Sequence, residues 1–295
     1  MKLIGDTHFG KKFKTGVPLN RRGELEEMFF TKFEKELNVD DRFVVQLGDL
    51  FDSVIVDLNT IDRVYNIIRS AYNNRKTTDF FFIRGNHDAP RDSAQVSAFD
   101  ILEKMCAPMR DRVYFVVQPM RYNNNVLVGW DYFRQETLRE IFDRLQLSAK
   151  DSVFGHFEEP IEPVLLEIDN PVFSGHIHKA HTVGNVSFVG SLLPLAFGEE
   201  GDSTIMETVS LDELLSRDPE EIKNKRLRVL LNEGEELPDN IDCLQLIAKK
   251  SDITEVVLDN EIEEVDMRKL FMEELGPSGL AEEIFARYND KLHQD

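Results

Sequence analysis

Lys2-Leu3-Ile4-Gly5-Asp6-Thr7-His8 opens the chain with an apolar run, a glycine and then two side chains of the kind that bind metals. The same order returns four more times. Phe43 to Leu47 leads into Gly48-Asp49-Leu50-Phe51-Asp52, and Phe80 to Ile83 leads into Gly85-Asn86-His87-Asp88. Val153-Phe154 precedes Gly155-His156, and Val172-Phe173 precedes Gly175-His176-Ile177-His178. Short apolar runs of this kind read as strands buried on both faces, so the polar residues that follow sit at the C-terminal edge of a sheet. Side chains at i and i+2 of an extended segment share a side, so Asp6 with His8, and His176 with His178, can aim at one place. The glycines before each block allow tight turns and close backbone approach. Five of the chain's seven histidines lie in these blocks, with His181 and His293 outside them. A lone histidine is more often packed or solvated than a ligand. Acids, imidazoles and an amide repeated in this pattern read instead as a binuclear metal site.

Outward from the blocks, apolar residues at three- and four-residue steps predict helices over Arg22–Leu37, Leu58–Tyr72 and Glu136–Leu145. Strands are predicted at Arg42–Leu47, Asp79–Ile83, Val113–Val117 and Val126–Trp130, with several more from Asp151 to Glu207. The Phe80-Phe81-Phe82 run reads as core, not as a stacking platform for bases. Alternating strands and helices followed by a strand-rich stretch give an α/β class, two packed sheets flanked by helices. Past residue 204 the character changes. Charged helices are expected at Asp212–Leu215 and Asp218–Lys225, strands at Arg226–Leu231, Cys243–Ala248 and Val256–Leu258, and a loop at Gly234–Asn240. Two final helices, Asp266–Leu275 and Leu280–His293, carry Met267, Leu270, Phe271, Leu275, Leu280, Ile284 and Phe285 as an amphipathic stripe. The expected division is 1–204 for the domain with the blocks, 205–264 for a small α+β unit and 265–295 for a helical tail.

With 295 residues, 41% hydrophobic and 31% charged, the chain can bury a full core. No run approaches the roughly 18 apolar residues that span a bilayer. Met1 to Ile4 runs straight into the first block without a signal-peptide pattern. Cys106 and Cys243 read as two small buried hydrophobes, so the expected place is a reducing cytoplasm, bacterial or that of a phage-infected host. A net charge of −20 argues against simple non-specific binding to a polyanion. Residues 204–295 hold 11 Lys+Arg against 24 Asp+Glu, which places much of that charge away from the blocks. Two divalent ions would offset part of the rest. Lys11, Lys12, Lys14, Arg21 and Arg22 follow the first block and are expected to form a basic rim beside it. Gly5 to Lys11 also fits the start of a phosphate-binding P-loop, but Lys12 stands where that loop needs a hydroxyl, so no nucleotide hydrolysis is read here.

The five blocks, in this order, resemble the calcineurin-like metallophosphoesterase family over roughly residues 1–200. His8-Phe9-Gly10, Arg21 or Arg22, Glu24, Gly155-His156-Phe157-Glu158 and Val189-Gly190-Ser191 are similar to SbcD-type double-strand-break-repair nucleases, phage recombination endonuclease subunits above all. The resemblance implies a four-layer α/β/β/α sandwich with a small C-terminal cap. It implies one metal on Asp6, His8 and His178, another on Asn86, His156 and His176, and Asp49 bridging them. Carboxylate, amide and imidazole ligands without thiolate suit manganese, with iron or magnesium as alternatives. His87 is the general-acid candidate, because it neighbours Asn86 and a phosphodiester leaving oxygen needs a proton. Asp52 is expected to accept a hydrogen bond from His87 and orient it. The partners implied are DNA, an SbcC-like coiled-coil ATPase gripped by the tail, and a second copy of the chain through Leu58–Tyr72 and Ser93–Met105. The activity implied is that of an exonuclease and endonuclease in recombination, repair or replication. The acidic charge and short cap leave a stand-alone phosphodiesterase for small substrates such as cyclic nucleotides as the alternative. A metal-free scaffold would not need all seven ligand positions and His87.

Overall fold

The computed structural model describes residues 1–250, apart from 93, 200–203 and 239–240. Residues 1–251 form one compact unit. In chain order its elements are β1 (Lys2–Ile4), α1 (Glu24–Leu37), β2 (Phe43–Gln46), α2 (Leu58–Asn74), β3 (Asp79–Ile83), α3 (Ala98–Met105) and β4 (Val113–Val116). Then come β5 (Met120–Tyr122), β6 (Asn125–Val128), α4 (Leu138–Arg144), β7 (Ser152–Gly155), α5 (Pro163–Glu167), β8 (Val172–Ser174), β9 (His181–Val183) and β10 (Val186–Phe188). The last are β11 (Met206–Ser210), α6 (Leu211–Ser216), α7 (Pro219–Ile222), β12 (Arg226–Leu231) and β13 (Gln245–Lys250). The helices begin where side chains can satisfy their first N–H groups. The Asp57 carboxylate accepts from Thr60 N ahead of α2, and Ser97 with Asp100 and Thr137 with Glu140 form capping boxes ahead of α3 and α4.

Strands β1-β2-β3-β4 make an all-parallel sheet, and β5-β6-β7-β8-β10-β9 make a mixed one. Val45, Leu47, Phe81, Ile83, Val116, Leu127 and Phe154 pack together between the sheets. Leu25, Phe29, Phe33, Val64, Ile68 and Phe99 bring α1, α2 and α3 onto the outer face of the first sheet. Ile141, Phe142 and Leu165 bring α4 and α5 onto the outer face of the second. These are the four layers expected, and Phe80, Phe81 and Phe82 are all core. Sequence periodicity missed β5, a three-residue strand that reaches β6 through a two-residue turn with Asn123 in the left-handed conformation. Residues this few carry no measurable period.

The 205–250 segment forms a third sheet, β11-β12-β13, parallel throughout. Val209, Leu214, Ile222, Leu227, Val229 and Cys243 give it a core of its own. It is nonetheless part of the same compact unit, held by contacts that sequence gave no sign of. Gln245 donates to the Thr15 carbonyl at 2.8 Å, and Leu246 N to the Gly16 carbonyl at 2.8 Å. The expected strand Val256–Leu258, the boundary at 264 and the helical tail 265–295 lie outside the described residues. No helix among the described residues is long and apolar enough to cross a membrane.

Candidate metal centre

Each block occupies the loop at the C-terminal end of a strand. β1 delivers Asp6 and His8, β2 Asp49 and Asp52, and β3 Asn86 and His87, while β7 delivers His156 and β8 His176 and His178. The two sheets therefore present their carboxyl edges to one crevice, where open α/β sheets bind ligands. Backbone hydrogen bonds lock the loops together. Thr7 N and His8 N donate to the Asp49 carbonyl, and Leu192 N donates to the Asp6 carbonyl. The Asp88 carboxylate, fully buried, accepts from Leu50 N, Phe51 N and Gly85 N at 2.8–3.0 Å and so ties the second block to the third. His8, Asp49 and His176 all take positive φ, 46°, 50° and 73°. Such strained conformations persist only when the surroundings enforce them, and they gather at functional sites. A Cβ on Gly48, itself at φ +103°, would stand 2.2 Å from His156 Nδ1.

Three groups of ligand-type atoms converge: Asp6 with His8 and His178, Asp49 with His156 and His176, and His8 with Asp49 and His87. The Asn86 side-chain oxygen joins the second group, 2.9 Å from His156 Nε2 and 3.0 Å from His176 Nδ1. Tautomers follow from the outer contacts. His156 Nδ1 faces the Leu47 carbonyl at 2.8 Å, so it carries a proton and leaves a lone pair on Nε2. That lone pair points among oxygens, with Asp49 Oδ2 at 3.3 Å as well as Asn86. An arrangement of acceptors facing acceptors needs a cation between them. By the protein groups alone, burial opposes charge on His156, yet Asp49 and Asp6 outweigh it and push its pKa up to about 9. The site draws positive charge to this spot, and a divalent ion answers that demand in place of a proton. Burial also raises Asp49, but His156 and His8 outweigh it and hold the carboxylate below its ordinary range. Asp6 Oδ2 is buried with no hydrogen-bond partner, a cost that a metal would relieve. The donor set thus fits divalent metal, which these carboxylate, amide and imidazole groups would hold.

The comparisons agree with this geometry. Residues 2–180 match the calcineurin-like phosphoesterase family, well over half of the chain. This chain is a calcineurin-like phosphoesterase. It is similar to the DNA double-strand break repair protein Mre11 of Methanococcus maripaludis, at 24% identity over 194 residues, which is 60% of this chain and 50% of that protein. The chain therefore spans about half the length of that relative.

In this phosphoesterase the structure brings together all nine residues singled out from sequence, with one contact other than expected. His87 Nδ1 does meet Asp52, at 2.7 Å, but through the backbone carbonyl. The Asp52 carboxylate turns to His8 Nδ1 at 3.2 Å and to Lys11 at 3.6 Å. The chain direction after Asp49 decides this, since Asp52 N is held by the Phe9 carbonyl. The basic rim is also corrected. Arg21 is buried and paired with Glu24, Asp242 and the Lys223 carbonyl. Lys12, Lys14 and Arg22 line a cleft of about 530 Å³ with Arg63, shared with Glu26, Glu27 and Asp57, so acids offset most of the positive charge there. His181 pairs with Glu159 and stacks on Phe188, away from the ligand groups.

Sequence reasoning missed two residues. Glu199 accepts from His178 Nδ1 at 3.0 Å, which leaves that ring's Nε2 facing His8 Nε2 at 3.2 Å. Leu195-Ala196-Phe197-Gly198 precede it in the pattern of the five blocks, a signal that could have found it. Trp130 stacks on His176, with centroids 5.9 Å apart and planes 20° apart. As the single tryptophan, placed just past a strand of the same sheet, it did carry a faint signal.

Proposed function

We propose that this phosphoesterase is a metal-dependent DNA nuclease, an exonuclease and endonuclease subunit of recombination, repair or replication. In this reading manganese is the metal, and the chain works in the cytoplasm with an SbcC-like coiled-coil ATPase and a second copy of itself. The observation that carries the reading is the convergence of Asp6 with His8 and His178 and of Asp49 with His156 and His176, Asp49 Oδ2 also lying 3.5 Å from His8 Nε2, beside a cleft of about 460 Å³ that His87, Asn86, Arg91 and Tyr132 line. The similarity to a break-repair protein supports DNA as the substrate.

Two divalent ions held here would supply Lewis acidity and a water activated near neutral pH for in-line displacement at phosphorus. Asp6, His8 and His178 would hold one, and Asn86, His156 and His176 the other, with Asp49 common to both. The Leu47 carbonyl and Glu199 fix the tautomers of His156 and His178, so no reorganisation is needed when metal enters. A carbonyl only accepts, so the Asp52 carbonyl keeps a proton on His87 Nδ1 and leaves Nε2 as the nitrogen available to the substrate. A second proton carried there goes to the leaving oxygen. Arg91, whose guanidinium lies 5.4 Å from the Tyr132 ring, adds positive charge to the cleft on the same side.

The apolar positions of α2 and α3 expected to pair two copies, Ile61, Val64, Ile67, Ile68, Phe99 and Leu102, are buried in the chain's own core. Val96, a further apolar position of the second expected pairing segment, is exposed, and Ile55 and Leu58 are exposed with it. In this reading those three meet the second copy, and light scattering that finds only monomer at micromolar concentration overturns it. The tail 265–295 remains the proposed grip for the ATPase. The deciding assay is digestion of linear duplex DNA with manganese, with and without the ATPase. Manganese-dependent degradation that the ATPase stimulates is expected. Hydrolysis of cyclic nucleotides as fast as DNA would favour the small-substrate alternative and defeat the proposal.

A further inference from the structure

Arg226 opens β12 in the C-terminal unit and is 2% exposed, a large cation inside the protein. Among the described residues no carboxylate lies within ion-pair distance of it. Its guanidinium instead donates to the carbonyls of Pro194 and Leu195 and to the Gln245 side chain, between the rings of Phe13 and Phe197. A buried arginine is a poor way to gain stability, because desolvation opposes it and an apolar residue would pack as well. What its rigid fork does supply is direction.

The loop it grips is the one that orients His178. Glu199 takes Leu195 N and Ala196 N on one oxygen, at 2.8 and 3.1 Å, and His178 Nδ1 on the other, at 3.0 Å. The 194–199 segment is thus pinned on one side by Arg226 and passes that position to the ring through Glu199. Gln245, the partner of Arg226, also donates to the Thr15 carbonyl, in the loop that follows His8. His178 therefore leans on the C-terminal unit through Glu199 and the 194–199 loop, whereas His8 is held by the Asp49 carbonyl and faces Asp52. The other group leans elsewhere, with His156 on the Leu47 carbonyl of the first sheet and Asp49 on His87 N.

We infer that Arg226 is a positioning residue for His178, acting through the 194–199 loop and Glu199, so that the C-terminal unit sets the affinity of one metal position and leaves the other alone. This rests on the binuclear reading above. It assigns the small unit a part in building the metal centre, beyond covering it.

Manganese binding by calorimetry, with metal analysis of the dialysed protein, tests it without recourse to activity. Wild type should take up two manganese ions per chain. Arg226→Met should keep one at wild-type affinity and weaken the other by about 10- to 100-fold, the usual scale for losing an outer support of a ligand. Glu199→Gln should reproduce that selective loss, and being half-buried it also serves if Arg226→Met fails to fold. The double variant should be no worse than either single one, since both act on the same ring, whereas a general loosening would add. Arg226→Lys, which keeps a donor for the carbonyls, should recover part of the affinity. Two ions bound by Glu199→Gln and Arg226→Met with unchanged affinity, or both ions weakened equally, would overturn the inference while leaving the binuclear centre standing. A wild-type chain that binds fewer than two ions would overturn the binuclear reading, and this inference with it.

Discussion

At the scale of single residues, the roles proposed for Asp49 and His87 differ in what each substitution should remove. Asp49 Oδ2 lies near both His8 Nε2 and His156 Nε2, at 3.5 and 3.3 Å, so one carboxylate serves both ligand sets. Asp49→Ala should lose bound metal and hydrolysis together. His87→Ala should retain two ions while cleavage falls by about a hundredfold or more, the scale of losing a general acid. Metal analysis that finds His87→Ala stripped of its ions would reassign His87 as a ligand. Asp88 works at one remove. Burial and the Asp49 charge raise its pKa to about 7, and it is the common acceptor of three buried N–H groups. Asp88→Ala leaves those donors unpaired and should destabilise the protein by about 2–4 kcal/mol in chemical denaturation. Metal affinity should fall with it, because the second and third ligand loops lose their common anchor. Unchanged stability would show that the loops hold without it.

At the scale of elements, the strands matter through where they stop. β1, β2, β3, β7 and β8 are three to five residues long, and each ends one or two residues before its glycine or at it. Two short sheets packed through Leu47, Phe81, Ile83 and Phe154 bring those ends level, so packing between the sheets sets the geometry of the candidate ligands. In the C-terminal unit, Glu207 of β11 ties Arg217, beyond α6, and Lys225, before β12. Hydrogen bonds from Lys225 and Arg217 hold its carboxyl below the usual range. With the folded pKa depressed, this contribution is present above the unfolded value near 4.5 and is lost as pH falls through the folded one. Wild type should therefore lose more stability than Glu207→Gln between neutral pH and about pH 3, by roughly 0.5–1 kcal/mol for so accessible a cluster. Parallel stability–pH curves for the two proteins would show that the cluster contributes nothing.

At the scale of the whole molecule, the charge of −20 and the acceptors crowded at the crevice both call for cations. Ions that bind only the folded state stabilise it by about 2.7 kcal/mol per site at a hundredfold excess over Kd. Manganese should thus raise the thermal midpoint by about 10 °C over the protein in chelator, given the 2–4 °C that each kcal/mol brings in chains of this size or a little smaller. No shift with manganese, iron or magnesium would mean that the crevice does not hold metal. The same mass action predicts that Asp49→Ala melts at one temperature with and without metal.

The strand-then-ligand order and the nine candidate residues that the fold brings together were legible in the chain, because both are local: an apolar run, a glycine and a coordinating side chain can be read without knowing what lies opposite. The buried aromatics of β3 and the helices α1, α2 and α4 were legible for the same reason, their periods being long enough to count. What only the tertiary structure decided was which atom of a residue meets which neighbour. Asp52 presents its carbonyl to His87 and its carboxylate to His8, a choice made by a backbone bond to Phe9. Arg21 leaves the expected rim because the 205–250 segment covers it, and Glu199 reaches His178 from 21 residues away. Contacts between segments remote in sequence depend on how the sheets and the third unit pack, and packing leaves no period in the chain.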